Sequence, residues 1–118
     1  MARYVDGFVI PLPKKNLKAY QSMAKLSAKT WIKCGALEYV ETVADDVSKG
    51  KITSFPRSVK LKGGEAVIFG YAVYKSRAHR DRVMAKVMKD ETLMKKWNEM
   101  PFDGMRMIWG GFKTIVTA

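Results

Sequence analysis

Apolar positions recur along this chain with two spacings that alternate in blocks. Residues 4–10, Tyr-Val-Asp-Gly-Phe-Val-Ile, are rich in β-branched and aromatic types, which predicts a strand ended by Pro11 and Pro13. Over residues 14–34 the period lengthens. At about 100° per residue, Leu17, Tyr20, Ala24, Ser27, Ala28 and Trp31 share one arc, the pattern of an amphipathic helix. Gly35 suits the position just past its end. Residues 36–44 return to strand spacing, with Leu37, Tyr39 or Val40, and Val43 as apolar positions. Residues 45–51 read as a solvated loop, and residues 52–62 keep neither period. Phe55, Val59 and Leu61 are expected to cover a core edge from that irregular segment.

Gly63-Gly64 breaks the chain before the strongest strand, residues 66–74, Ala-Val-Ile-Phe-Gly-Tyr-Ala-Val-Tyr. Ser76 is a candidate N-cap for a helix running to about Lys89, with Val83, Met84, Val87 and Met88 on its apolar face. A short helix over 91–100 turns Leu93, Met94 and Trp97 inward. Residues 101–104 form a turn, and residues 107–116 a last strand. Strand, helix, strand thus occurs twice, at an offset of 63 residues. This predicts an α+β fold, a ferredoxin-like split βαβ sandwich, as a single domain over residues 1–118. Two helices cover only one face of such a sheet. Yet Val67, Phe69, Tyr71 and Val73 point one way and Ile68, Gly70, Ala72 and Tyr74 the other, so a second subunit's sheet is the expected cover for the outer face.

Charge adds one alternative. The 118 residues carry 22 Lys and Arg against 11 Asp and Glu, a net +11 that favours polyanionic partners. Lys18, Lys25 and Lys29 belong to a lysine stripe beside the apolar arc of the first helix. They are the candidate polyanion or nucleic-acid contacts, although no recognised nucleic-acid motif surrounds them. The single cysteine, Cys34, permits no internal disulfide and fits a reducing compartment. With no signal-like segment and no membrane-length apolar run, the cytoplasm is the expected location and no membrane partner is expected.

Three segments carry a family likeness: Tyr4-Val5-Asp6-Gly7-Phe8-Val9, the stretch from Asp45-Asp46 to Ile52-Thr53, and Met100-Pro101-Phe102-Asp103-Gly104-Met105-Arg106-Met107-Ile108. With them the chain resembles the YbaA-like family of small bacterial proteins over nearly its whole length. The resemblance implies a dimeric α/β-barrel, two ferredoxin-like subunits with their sheets face to face. It supplies no established catalytic residues. The wider superfamily includes haem-degrading monooxygenases that use a helix histidine. The chain's one histidine is His79, but the Asn and Trp that accompany it in those enzymes have no counterparts at matching positions.

The candidate chemistry is therefore read residue by residue. Asp6 stands mid-strand among apolar neighbours, so its carboxylate must be paired, hydrogen-bonded or protonated, as a ligand anchor or as a structural partner of an arginine. Arg80 interrupts the apolar arc of its helix, with Asp6 and Asp103 as candidate partners. Asp103 and Arg106 flank a turn and could hold a polar ligand at a barrel mouth. His79 falls off the apolar arc and is expected to be exposed. No metal spacing and no cofactor motif are present, and no Ser-His-Asp arrangement can be drawn. The expected function is a small homodimer binding an organic ligand beside its sheet, extended by fold analogy to a cofactor-free monooxygenase or isomerase. The alternative is a non-enzymatic polyanion-binding module.

Overall fold

The computed structural model describes residues 3–118. Its centre is a four-stranded sheet of order β2-β3-β1-β4, with every neighbouring pair antiparallel. The strands are β1 (Tyr4–Pro13), β2 (Glu38–Val43), β3 (Glu65–Tyr74) and β4 (Ile108–Lys113). Helix α1 (Leu17–Lys33) joins β1 to β2, and α2 (Phe55–Ser58) lies between β2 and β3. Helices α3 (Arg77–Val87) and α4 (Glu91–Trp97) separate β3 from β4. This is the ferredoxin-like α+β arrangement that the repeated pattern predicts.

Several boundaries shift for local reasons. β1 does not stop at Pro11 but continues to Pro13, paired with β3 through Pro11–Val67 and Pro13–Glu65. The β4 pairing reaches only Val9, so β1 is an edge strand where its prolines lie, and their missing N–H groups break no ladder. Residues 14–16 form a 3-10 turn, and α1 proper starts at Leu17. Asn16 donates through Nδ2 to the carbonyl of Pro101 at 2.7 Å, tying the start of α1 to the turn before β4. Ser76 caps α3 as expected, its hydroxyl accepting from the His79 N–H at 3.1 Å. Asp90 caps α4, which ends at Trp97.

The helix side of the sheet holds two adjoining clusters. Ile10, Leu12, Tyr20 and Ile68 form one; Trp31, Ala72, Tyr74, Val83, Val87 and Leu93 belong to the other. Leu12, Val83, Val87 and Leu93 are fully buried, each contributing about 1.5–3 kcal/mol relative to exposure. The buried arc of α1 comprises Tyr20, Ser27, Thr30 and Trp31, whereas Leu17, Ala24 and Ala28 are half-buried. Thr30 enters because its hydroxyl donates to the Leu26 carbonyl at 2.8 Å, which lets a polar residue bury.

The outer sheet face is partly covered from within the chain. Val59 and Leu61, just past α2, fold over Val9 and Val67, and Phe55 at the start of α2 packs edge-on against Phe69, so the segment without a period supplies a third cluster. Arg106 holds it there, donating through Nη1 to the Lys60 carbonyl at 2.9 Å and through Nη2 to Glu65 Oε2 at 2.7 Å. Its Nε also donates to Asp103 Oδ2 at 2.9 Å. Despite this cover Phe69, Ile108 and Phe112 remain exposed, at 41%, 45% and 63%.

The Arg106 clamp predicts a pH dependence. Its hydrogen bonds hold the Glu65 and Asp103 carboxyls below their ordinary values of 4.5 and 3.8. A carboxyl with a depressed folded pKa stabilises the fold above its ordinary value and loses that contribution as pH falls. Arg106→Ala should therefore lower Tm at pH 7 and flatten the fall of Tm below about pH 4.5. Thermal melts from pH 7 to pH 2 read this directly, and equal acid slopes in both proteins would remove Arg106 from the account.

Candidate functional site

A cavity of about 310 Å³ lies between the helix face of the sheet and the helices. The alternation of β1 and β2 puts Asp6, Phe8 and Ile10, with Tyr39 and Glu41, on this face, because Tyr39 pairs with Ala72 and Glu41 with Gly70 in the register. Helix α1 adds Tyr20, Met23, Ser27 and Trp31 at helical spacing, and α3 and α4 add Met84 and Trp97. Met88, Met100 and Trp109 line the cavity yet are largely exposed, so they stand at its mouth.

Gly70 makes room for part of this wall. A Cβ there would overlap the ring of Phe8 on the neighbouring strand. Gly111 does the same beside Asp6, since a Cβ would run into the Tyr4 hydroxyl and the Arg80 guanidinium. That guanidinium packs over the Tyr4 ring, 5.1 Å from its centroid, and donates to the Tyr4 hydroxyl at 3.1 Å.

Two carboxyl groups give the apolar cavity its chemistry. Glu41 accepts from the Tyr39 hydroxyl at 2.7 Å through one oxygen and from the Tyr20 hydroxyl through the other. Burial, and then the charge of Glu41, raise both phenols well above the ordinary tyrosine value, so they stay O–H donors. Burial pushes the Glu41 carboxyl up, against the pull of these two hydrogen bonds. Asp6 is also raised by burial, opposed by a hydrogen bond from Tyr74 and by the charge of Arg80. A carboxyl with a raised folded pKa costs stability as pH climbs through that value, so both groups are tolerated here against the interest of the fold. Tyr74 links the two halves of the wall, its hydroxyl accepting from Trp31 Nε1 at 2.9 Å.

The candidates read from the sequence separate into four places. Asp6 lines the cavity and is 9% exposed. Arg80 lies beside it, Nε 3.7 Å from Oδ1, but is not part of the cavity wall. Neither of those two buried atoms has a hydrogen-bond partner among the described residues, so the ion pair is loose. Arg80 does not reach Asp103, which bonds Arg106; its second ion pair is with Asp81 at 3.4 Å. Asp103 and Arg106 are absent from the cavity lining and brace the outer cover instead. Lys18, Lys25 and Lys29 are exposed on α1, and Lys25 borders a shallower groove between α1 and β2. His79 is half-buried rather than exposed, because Nδ1 accepts the Lys75 N–H at 2.9 Å and the ring packs edge-on to Tyr74.

Glu41 was not among those candidates. Its signal is that it keeps phase with Tyr39 and Val43 along β2, an acidic residue at an inward position of a strand.

Comparison with known proteins agrees with this fold. The family described as "Protein of unknown function (DUF1428)" matches residues 3–104. The chain is 42% identical over 114 residues to "Uncharacterized protein YbaA" of Escherichia coli strain K12, covering 97% of each chain. The same identity and coverage hold for the YbaA protein of Shigella flexneri. Among solved structures, a dimeric ferredoxin-like protein from an uncultured marine organism superposes with a TM-score of 0.54 at 11% identity. That alignment covers 100% of this chain and 98% of the other, a likeness of fold. None of the described helices is long and apolar enough to cross a membrane. On the extent of the family match and the full-length identity to YbaA, the chain belongs to the DUF1428 family.

Proposed function

We propose that the protein is a homodimer whose subunits each bind a small organic molecule in the cavity between sheet and helices. The observation that carries the reading is the cavity itself. It offers 310 Å³ walled by aromatic rings and methionines, with Asp6 and Glu41 as its acidic groups. Cavities of this size fall within the range that small-molecule sites use, and apolar cavities about half as large bind benzene. Methionine side chains refold around ligands of differing outline, so the wall supplies area without demanding one shape.

Two further features support dimerisation. Phe69, Ile108 and Phe112 share the outer face of the sheet and are exposed. A contiguous apolar face of this kind usually marks an interaction surface. The fold neighbour is itself a dimeric ferredoxin-like protein. If the site also catalyses, Asp6 and Glu41 fit proton transfer, because burial brings a carboxyl pKa toward the range of a general acid or base. That is the chemistry of a cofactor-free isomerase, and the fold by itself selects no reaction.

Indole tests the cavity reading. Wild-type protein should bind one indole per subunit by isothermal titration or ligand-observed NMR. Gly70→Ala, which forces the Phe8 ring toward the cavity, should weaken binding at least ~10-fold at a stability cost of about 1–3 kcal/mol. Absence of binding to the folded wild-type protein, or equal binding by both proteins, would sink the reading.

A further inference from the structure

We propose that the cavity selects an organic ammonium ion over neutral and anionic molecules of the same shape, an inference that rests on the ligand-binding reading above. Three observations carry it. The first is the aromatic wall. The Trp31 ring lies 5.2 Å from Tyr39 and 5.5 Å from Trp97, and Phe8 lies 6.5 Å from Tyr39, all measured between centroids. Their π faces carry partial negative charge, which draws cations within about 6 Å, most strongly to Trp.

The second observation is the charge of the lining. Among the described residues, Asp6 and Glu41 are its charged side chains, and no Lys, Arg or His lines it. Arg80 stands beside Asp6 and partly neutralises it. Glu41 has no such neighbour. Among the described residues it takes part in no ion pair, and two neutral phenols are its hydrogen-bond partners. A half-buried carboxylate without a counter-ion gains most from a ligand that brings one.

The third observation is the location of the basic charge. The net +11 sits outside the cavity, as on the exposed Lys18, Lys25 and Lys29, where physiological salt screens it within about 8 Å. An anion would be attracted to the surface but meet carboxylates and aromatic rings inside. An ammonium ion meets Glu41 and the Trp31–Tyr39–Trp97 wall together.

Three probes that share a benzyl group decide the matter: benzyltrimethylammonium, its neutral carbon isostere neopentylbenzene, and the smaller anion phenylacetate. On the full-length wild-type protein, benzyltrimethylammonium should bind at least ~10-fold tighter than neopentylbenzene, and phenylacetate should bind weakest. Glu41→Gln should remove most of that preference, leaving neopentylbenzene affinity nearly unchanged. The isostere comparison needs no variant, so it stands even if Glu41→Gln folds poorly. Neopentylbenzene binding as tightly as the cation would overturn the charge selection and leave the cavity reading intact. A full cation preference retained in folded Glu41→Gln would also overturn it. Failure of all three probes together with indole would overturn both.

Discussion

Trp31→Ala is expected to leave the protein at the edge of folding, with a loss of about 3–5 kcal/mol. Small domains have only about 5–15 kcal/mol to lose. Trp31 is buried at the meeting point of sheet, α1 and α4, where it belongs to the core cluster and packs at a tilt against Tyr39 and Trp97. Its removal would also take the Nε1–H donor from the buried hydroxyl of Tyr74. Urea unfolding followed by far-UV circular dichroism measures the loss, with Trp31→Phe as the milder control that keeps a ring in place. A loss below about 1 kcal/mol would mean that the cavity wall collapses freely onto the gap. The site would then be softer than the packing of these rings implies.

The second large effect concerns assembly. Wild-type protein is expected to sediment at about twice its 13.4 kDa chain mass at micromolar concentration. The double variant Phe69→Glu with Phe112→Glu should sediment as a monomer, with the dimer dissociation constant raised by a factor of about 10³ or more. Both side chains lie on the outer face, since Phe112 pairs with Val5 and Phe69 with Val9, away from the helix side that holds the cavity. The variant should keep its helix content, because neither residue belongs to the buried clusters. A wild-type monomer at these concentrations, or a double variant that remains dimeric, would rule out this face as the interface.

The two effects separate the two faces of one sheet. A change at Trp31 acts on the helix side, through stability and the cavity; changes at Phe69 and Phe112 act on the outer side, through association. Indole affinity in the double variant reports whether the cavity needs the dimer.

Local pattern was enough for the elements and their order. Alternation in β1 and β3, the helical arc through Tyr20 and Trp31, and the Ser76 cap all arise between near neighbours in the chain. Backbone geometry converts such spacings directly into faces. The repeated strand-helix-strand order leaves few ways to close a sheet, so the ferredoxin-like arrangement followed. Asp6, which lines the cavity, was legible as a candidate for the same reason: an ionisable group at an inward strand position has to be accounted for.

What the tertiary structure decided is which distant groups meet. The pattern could not show that Arg106 would leave the ligand question altogether by gripping Glu65 and the Lys60 carbonyl, since those partners come from another segment. Nor could it show that residues 55–61 would cover one end of the outer face, because they have no period to read. Glu41 is the sharpest case. Along β2 it is one acidic residue among alternating types, and only the approach of α1 brings the Tyr20 hydroxyl to its second oxygen. Spacing specifies the side to which a residue points, whereas the partner on that side depends on how the helices pack. The cavity, its unpaired carboxylate and its aromatic wall are products of that packing.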